Sequence, residues 1–262
     1  MSRGLGDVYK RQELGLPSVN GLMVLFSTRT GMVEALLLDN GYLTDIRTAA
    51  AGAVAAKYLA RADSRRAAII GAGTQAGLQL EALTMVRDID TATIWARDLN
   101  KAQSRAAELS QRLGIAVSAS ADIASATRDA DIIVTTTPST QALLMPEHIV
   151  AGQHITAMGS DSEHKNEVDP VIIADRAQYF CDRLSQVRVL GELHHAIEKQ
   201  LVKPAAEFPE LGQVIAQQRS GRQHSDEITL CDLTGTGIQD TAIATLAYQR
   251  CQQHQAGTNF TT

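Results

Sequence analysis

Residues 67–77 read AAIIGAGTQAG, an apolar run that breaks at Gly71-Ala72-Gly73-Thr74-Gln75-Ala76. These residue types suit a phosphate-binding corner. Gly71 permits a tight turn out of a buried strand, and Gly73 lets the backbone approach a pyrophosphate. A small Ala76 lets the next helix pack on the strand with its N-terminus facing the phosphates. Glycines also make ordinary turns, so a purely structural corner is the alternative. The flanks favour the first reading. Residues 78–86, LQLEALTMV, continue as an amphipathic helix, and a second apolar strand at 92–95 follows at about the 20-residue spacing of a βαβ unit. Dinucleotide binding is therefore expected at Gly71, Gly73, Thr74, Gln75 and Ala76.

The end of that second strand faces the adenosine ribose of such a ligand. A carboxylate there accepts from the 2′-hydroxyl, whereas a 2′-phosphate needs a cation. The position falls at Ala96, followed by Arg97, whose guanidinium can grip a phosphate through two hydrogen bonds. This favours NADP(H). A shift of two residues gives the ribose to Asp98 and favours NAD(H), and Arg97 as a solvated surface charge is the remaining alternative.

Two further residues could do chemistry. Asp161 follows Gly159-Ser160 at the end of an expected strand, where open α/β sheets present groups to ligands. A carboxylate beside a substrate ammonium can move its proton; capping the following turn is the alternative. Arg47 is expected at a helix start, against the preference of the helix dipole for anions. That suggests a ligand carboxylate as its partner, with a surface salt bridge as the alternative. The adjacent His194 and His195 point about 100° apart on a helix and do not readily share an ion, so no metal is expected. Glu192, Lys165 and Glu167 read as loop and helix-terminus charges.

The elements that position these residues alternate. Residues 22–26 and 32–38 form strands around a turn at Thr28-Arg29-Thr30-Gly31, and Asp45 caps a helix over 47–60. Strands at 67–70, 92–95, 115–118, 131–137, 154–158, 178–181 and 228–233 are interleaved with helices that include 100–113 and 122–127. This alternation predicts an α/β fold with a Rossmann-type, doubly wound parallel sheet. A last helix at 238–252 has no strand to feed and is expected to pack on the N-terminal segment. The expected domains are a dinucleotide-binding domain over 47–237 and a smaller discontinuous one from 13–46 and 238–262. Residues 1–12 lack either periodicity and read as a non-native leader, with a genuine flexible N-terminal arm as the alternative.

The chain has 262 residues, with 24 Lys+Arg against 29 Asp+Glu and a net charge of −5. No basic stripe points to nucleic acid or an anionic membrane. No apolar run approaches the ~18 residues of a membrane span. Cys181, Cys231 and Cys251 are odd in number and without CxxC spacing, which argues for reduced thiols in a cytoplasmic protein and against a zinc site.

Three more motifs, in order, are Leu43-Thr44-Asp45-Ile46-Arg47-Thr48-Ala49-Ala50, residues 152–167 (GQHITAMGSDSEHKNE) and residues 231–240 (CDLTGTGIQD). With the glycine corner they resemble the ornithine cyclodeaminase/mu-crystallin family from Glu13 to about Gln252, and residues 15–52 are especially similar to its ectoine-utilisation branch. The resemblance implies a homodimer acting on a small amino acid. Arg47 would hold the substrate carboxylate and Asp161 would act on the amine. Thr136, Thr137, Thr234 and Gly235 would line the nicotinamide end. It implies cyclodeamination through an imine, with ketimine reduction or amino-acid dehydrogenation, or NADPH binding without turnover, as alternatives. Members also carry an arginine and a lysine upstream of Gly15-Leu16-Pro17-Ser18-Val19. Nothing before Glu13 matches them, so the resemblance implies an N-terminally shortened chain of low activity.

Overall fold

Strand β3 (Arg66–Ile70) is apolar on both faces because layers lie on both sides of it. Ala68 and Ile70 point into one cluster with Ile133, Ile155, Ala157 and Leu230, while Ala67 and Ile69 point into another with Ala92, Ile94, Ile132 and Val134. This two-sided burial is the signature of a parallel strand covered by helices, each buried Ile or Leu contributing roughly 1.5–3 kcal/mol relative to exposure. The computed structural model describes residues 20–259. The leader expected at 1–12 and the segment before Asn20 lie outside the described residues.

The chain divides into two compact units, Thr48–Gly235 and the pair Met1–Arg47 with Thr236–Thr262. The larger is built on seven strands, β3, β4 (Thr91–Trp95), β5 (Ala116–Ser120), β6 (Ile132–Thr135), β7 (His154–Ala157), β8 (Gln178–Cys181) and β9 (Thr229–Asp232). They lie in the order β5-β4-β3-β6-β7-β9-β8, every pairing parallel. The fold is the expected α/β Rossmann type. The chain leaves β3 in both directions, towards β4 and β5 on one side and β6 and β7 on the other, which makes the β3–β6 boundary the switch point where such sheets bind ligands. Register matters more. Ile70 pairs with both Trp95 and Thr135, Thr135 with Ala157, and Ala157 with Asp232, so the strands end level. Every loop expected to touch ligand leaves from this one edge.

Helix α1 (Tyr42–Leu59) starts earlier than the sequence suggested, five residues before Arg47. Its first turn is held by Asp39, whose carboxylate accepts the Leu43 N–H at 2.6 Å, not by the expected cap Asp45. The dipole argument for Arg47 therefore lapses, because Arg47 sits in the second turn. In the larger unit, the Arg87 guanidinium closes the far end of α1 on the carbonyls of Ala56, Lys57, Ala60 and Arg61. Helix α2 (Thr74–Thr84) leaves the glycine corner, and α3 (Leu99–Leu113) starts at Asp98 and stops at Gly114 with φ +70°. Shorter helices α4 (Ile123–Thr127), α5 (Leu184–Val187), α6 (Glu192–Glu198) and α7 (Leu211–Ile215) complete this unit.

In the smaller unit, β1 (Met23–Phe26) and β2 (Val33–Leu37) form an antiparallel hairpin with Val24 opposite Leu36 and Phe26 opposite Val33. Gly31, at φ +73°, makes the turn possible. Helix α8 (Gly237–Gln253) packs on both strands. Val24, Phe26, Val33 and Leu36 remain 39–61% exposed.

Candidate functional site

The two glycines of the corner answer to different demands. Gly71 has φ +131°, and a Cβ there would stand 2.4 Å from Thr136 Oγ1 and 3.2 Å from the Thr136 carbonyl oxygen. The fold itself requires that glycine. Gly73 has an ordinary φ of −80°, and a Cβ there would meet no atom within 4 Å. Among the described residues nothing asks for a glycine at this point, so the open space is a cradle that any side chain would fill. Gly73 begins α2 with no side-chain cap, and no acidic residue occupies the first turn. A helix N-terminus of this kind favours an anion, and the residues present fit the pyrophosphate of a dinucleotide. Ala76 is fully buried, so α2 lies close on the sheet.

At the expected adenosine end, Ala96 is half-buried and Arg97 and Asp98 are exposed. The Asp98 carboxylate accepts the Asn100 N–H at 3.0 Å and caps α3. Trp95 donates its indole N–H to the Ala121 carbonyl at 3.3 Å, closing the neighbouring strand end.

The remaining strand ends are held by a buried carboxylate, Glu167, and a half-buried one, Asp182. Thr136 turns its hydroxyl back onto the Ile70 carbonyl at 3.3 Å, beside the glycine corner. Thr137 donates its N–H to Glu167 Oε1 at 2.5 Å, while Glu167 Oε2 accepts from Thr135 Oγ1 at 2.7 Å and from the Gly159 N–H at 2.8 Å. Thr234 and Gly235 are gripped by Asp182, which accepts the Thr234 hydroxyl at 3.1 Å and the Gly235 N–H at 2.8 Å, and by the Gln186 amide. Burial raises the carboxyl pKa of Glu167 and of Asp182 above the usual range, against the pull of these hydrogen bonds. Reading Glu167 and Glu192 as loop and helix-terminus charges missed this: both are 0% exposed, although Glu192 does open α6.

Asp161 and Lys165 form an ion pair at 2.5 Å. The Asp161 N–H turns back onto the Gly159 carbonyl at 3.1 Å, so the carboxylate stands one tight turn beyond β7. In the smaller unit, Arg47 is occupied by Asp240 at 2.9 Å and by Gln239 at 3.3 Å. His194 reaches Glu198, and His195 Nε2 contacts the Lys165 carbonyl at 2.7 Å, which places His195 against the Asp161 loop. Among the described residues there is no group of three metal-binding side chains and no helix long and apolar enough to cross a membrane.

The profile of the ornithine cyclodeaminase/mu-crystallin family matches residues 6–255. A provisionally named dehydrogenase of Rhizobium meliloti is 62% identical over 96% of this chain and 76% of its own length, and an uncharacterized cyclodeaminase of Sinorhizobium fredii is 57% identical over the same shares. Among solved structures, Thermococcus litoralis Δ1-pyrroline-2-carboxylate reductase in complex with NADH and L-proline superposes with a TM-score of 0.90 at 32% identity, covering 96% of this chain and 77% of that one. An archaeal alanine dehydrogenase dimer with bound NAD gives 0.89 at 36% identity, with the same coverage. With the profile spanning nearly the whole sequence and the fold agreeing over 96% of it, this chain belongs to the ornithine cyclodeaminase/mu-crystallin family.

Proposed function

We propose that this protein is an NAD(P)-dependent enzyme of cyclodeaminase type, acting on the Cα–N bond of a diamino acid that is ornithine-like or derived from ectoine. The observation that carries this reading is the level ending of β3, β6 and β7, which sets the Gly73 cradle, Thr136–Thr137 and the Asp161 loop along one edge. A bound nicotinamide supplies a reversible hydride acceptor for Cα. Asp161 takes the proton of the substrate amine, and Lys165 holds its carboxylate in place until the substrate ammonium replaces that ion pair. Thr136, Thr137, Thr234 and Gly235 border the nicotinamide end. Arg47 anchors the substrate carboxylate, which must displace Asp240 from the guanidinium. Imine formation, attack by the distal amine, loss of ammonia and return of the two electrons close a ring without net redox change.

NADP(H) is the proposed cofactor, because Asp98 is engaged as a helix cap while Arg97 is exposed beside the ribose position. The NADH and NAD complexes of the two structural relatives favour a second reading, NAD(H) with net reduction of an imine or oxidation of an amino acid. The outward apolar face of the hairpin supports a homodimer, the state of the alanine dehydrogenase relative.

The test is turnover on L-ornithine, other diamino acids, L-alanine and Δ1-pyrroline-2-carboxylate, with each cofactor in oxidised and reduced form. Cyclodeamination releases ammonia with no net change in reduced-nicotinamide absorbance. The second reading changes that absorbance in step with product. Binding of cofactor without either signal on any substrate overturns both.

A further inference from the structure

Three fully buried carboxylates in the larger unit form a chain in which each grips the backbone of the next. Asp232, at the end of β9, accepts the N–H groups of Glu192 and Leu193 at 2.8 and 3.2 Å, and the Tyr179 hydroxyl at 2.7 Å. Glu192 accepts the N–H groups of Glu167 and Val168 at 2.9 and 3.2 Å, and the Asn166 amide at 2.6 Å. Glu167 accepts Thr137, Gly159 and Thr135 as described above. Among the described residues none of the three has an ion-pair partner. Burying a carboxylate without a counter-ion costs several kcal/mol, and apolar side chains would fill the same volume more cheaply. What the carboxylates add is placement. Gly159 fits this clamp tightly: a Cβ there would lie 2.2 Å from the Thr137 carbonyl oxygen and 2.4 Å from Glu167 Oε2.

We infer that Glu167 is a positioning residue that fixes the spacing between the Thr135–Thr137 strand end and the Asp161 loop, with Glu192 and Asp232 holding Glu167 in turn. The inference rests on the proposed reaction at these strand ends. One carboxylate bridges two adjacent strands through two backbone amides, and Asp161 lies two residues beyond one of those amides. No other acceptor type serves both: a carboxamide in place of the carboxylate would turn its NH2 group towards one of the two N–H donors and release that strand.

The experiment compares wild type, Glu167→Gln and Thr135→Val. Thr135→Val removes a hydrogen bond to the same carboxylate but leaves both amide clamps. Single-turnover rates are read with the substrate identified by the panel above and the cofactor preloaded in the state that substrate needs, oxidised for an amine and reduced for an imine. Affinity for ADP-ribose and its 2′-phosphate reports the adenosine half alone. The expected result is a rate loss of 10- to 100-fold in Glu167→Gln, the scale of a displacement of about 1 Å or less, with fragment affinity within twofold of wild type. Thr135→Val should lose less than fivefold. Equal rates in Glu167→Gln and wild type overturn the inference, and so does a parallel loss of rate and fragment affinity in that variant. If Glu167→Gln does not fold, or wild type turns over nothing, amide hydrogen exchange in wild type decides. Protection of Thr137 and Gly159 N–H at the level of the β6 and β7 core supports the clamp, and exchange at loop rates overturns it. Absence of wild-type turnover with protected amides sinks the proposed function alone.

Discussion

A Cβ on Gly71 would overlap Thr136 Oγ1 at 2.4 Å, whereas Gly73, two residues on, faces open space. The first glycine serves the fold, and the second is the one proposed to serve a ligand. Gly71→Ala should therefore destabilise the protein by about 1–3 kcal/mol, the cost of a non-glycine residue in a sparsely allowed conformation. Gly73→Ala should shift stability by about 1 kcal/mol or less, yet weaken dinucleotide binding at least tenfold. Thermal unfolding and nucleotide titration of the two variants check this, and equal effects on both readouts would remove Gly73 from the cofactor site.

Arg97→Ala should weaken NADPH by about 1–3 kcal/mol, the scale of charge-assisted hydrogen bonds, and leave NADH almost unchanged. Asp98→Ala should cost about 0.5–2 kcal/mol of stability through loss of the α3 cap. Calorimetry with both nucleotides decides. A preference for NADPH that survives Arg97→Ala would remove Arg97 from the 2′-phosphate, and a wild-type preference for NADH would pass the ribose contact to Asp98.

Asp161→Asn keeps the shape of the side chain and removes its capacity to take a proton. Turnover should fall by about 10²–10⁴, with cofactor affinity within twofold. Near-normal turnover would leave Asp161 as no more than the partner of Lys165.

Burial pushes the Asp232 carboxyl up to about 7 from an ordinary value of 3.8. The folded protein then holds this proton more tightly than the unfolded chain. The stability linked to the group is full below about pH 4, declines as pH rises through 7, and is level above that. Asp232→Asn keeps an acceptor for Tyr179, Glu192 and Leu193 and has no charge to bury. It should be more stable than wild type at pH 8, by an amount on the order of a few kcal/mol, with the gap closing towards pH 4. Denaturant midpoints across that range test it, and a gap independent of pH would show that Asp232 does not titrate there.

The α/β fold was legible because its signal is local. Runs such as AAII and IIVT, separated by helices with one apolar stripe, announce buried parallel strands, and Gln178–Cys181 was found within its expected bounds. The insertion of β9 between β7 and β8 leaves no trace in sequence order. Asp45 reads as the cap in place of Asp39 because the first turn, Tyr42–Ile46, carries none of the alanine-rich pattern that marks the rest of α1. Glu167 and Glu192 escaped for a deeper reason. Most of their partners are backbone amides, which carry no side-chain identity to read, and a glutamate in a polar stretch otherwise looks solvated. One clue was present: Gly159 is as tightly hemmed in as Gly71, and a glycine two residues before a candidate acid invites the question of what crowds it.

The hairpin of the smaller unit has a further consequence. Val24, Phe26, Val33 and Leu36 form a row on its outward side that water solvates poorly. In a homodimer that covers this row, association and folding draw on the same free energy, and by mass action the melting temperature climbs with protein concentration. Dilution then becomes a mild denaturant for this unit, and a stability quoted for the protein has meaning only beside the concentration at which it was measured.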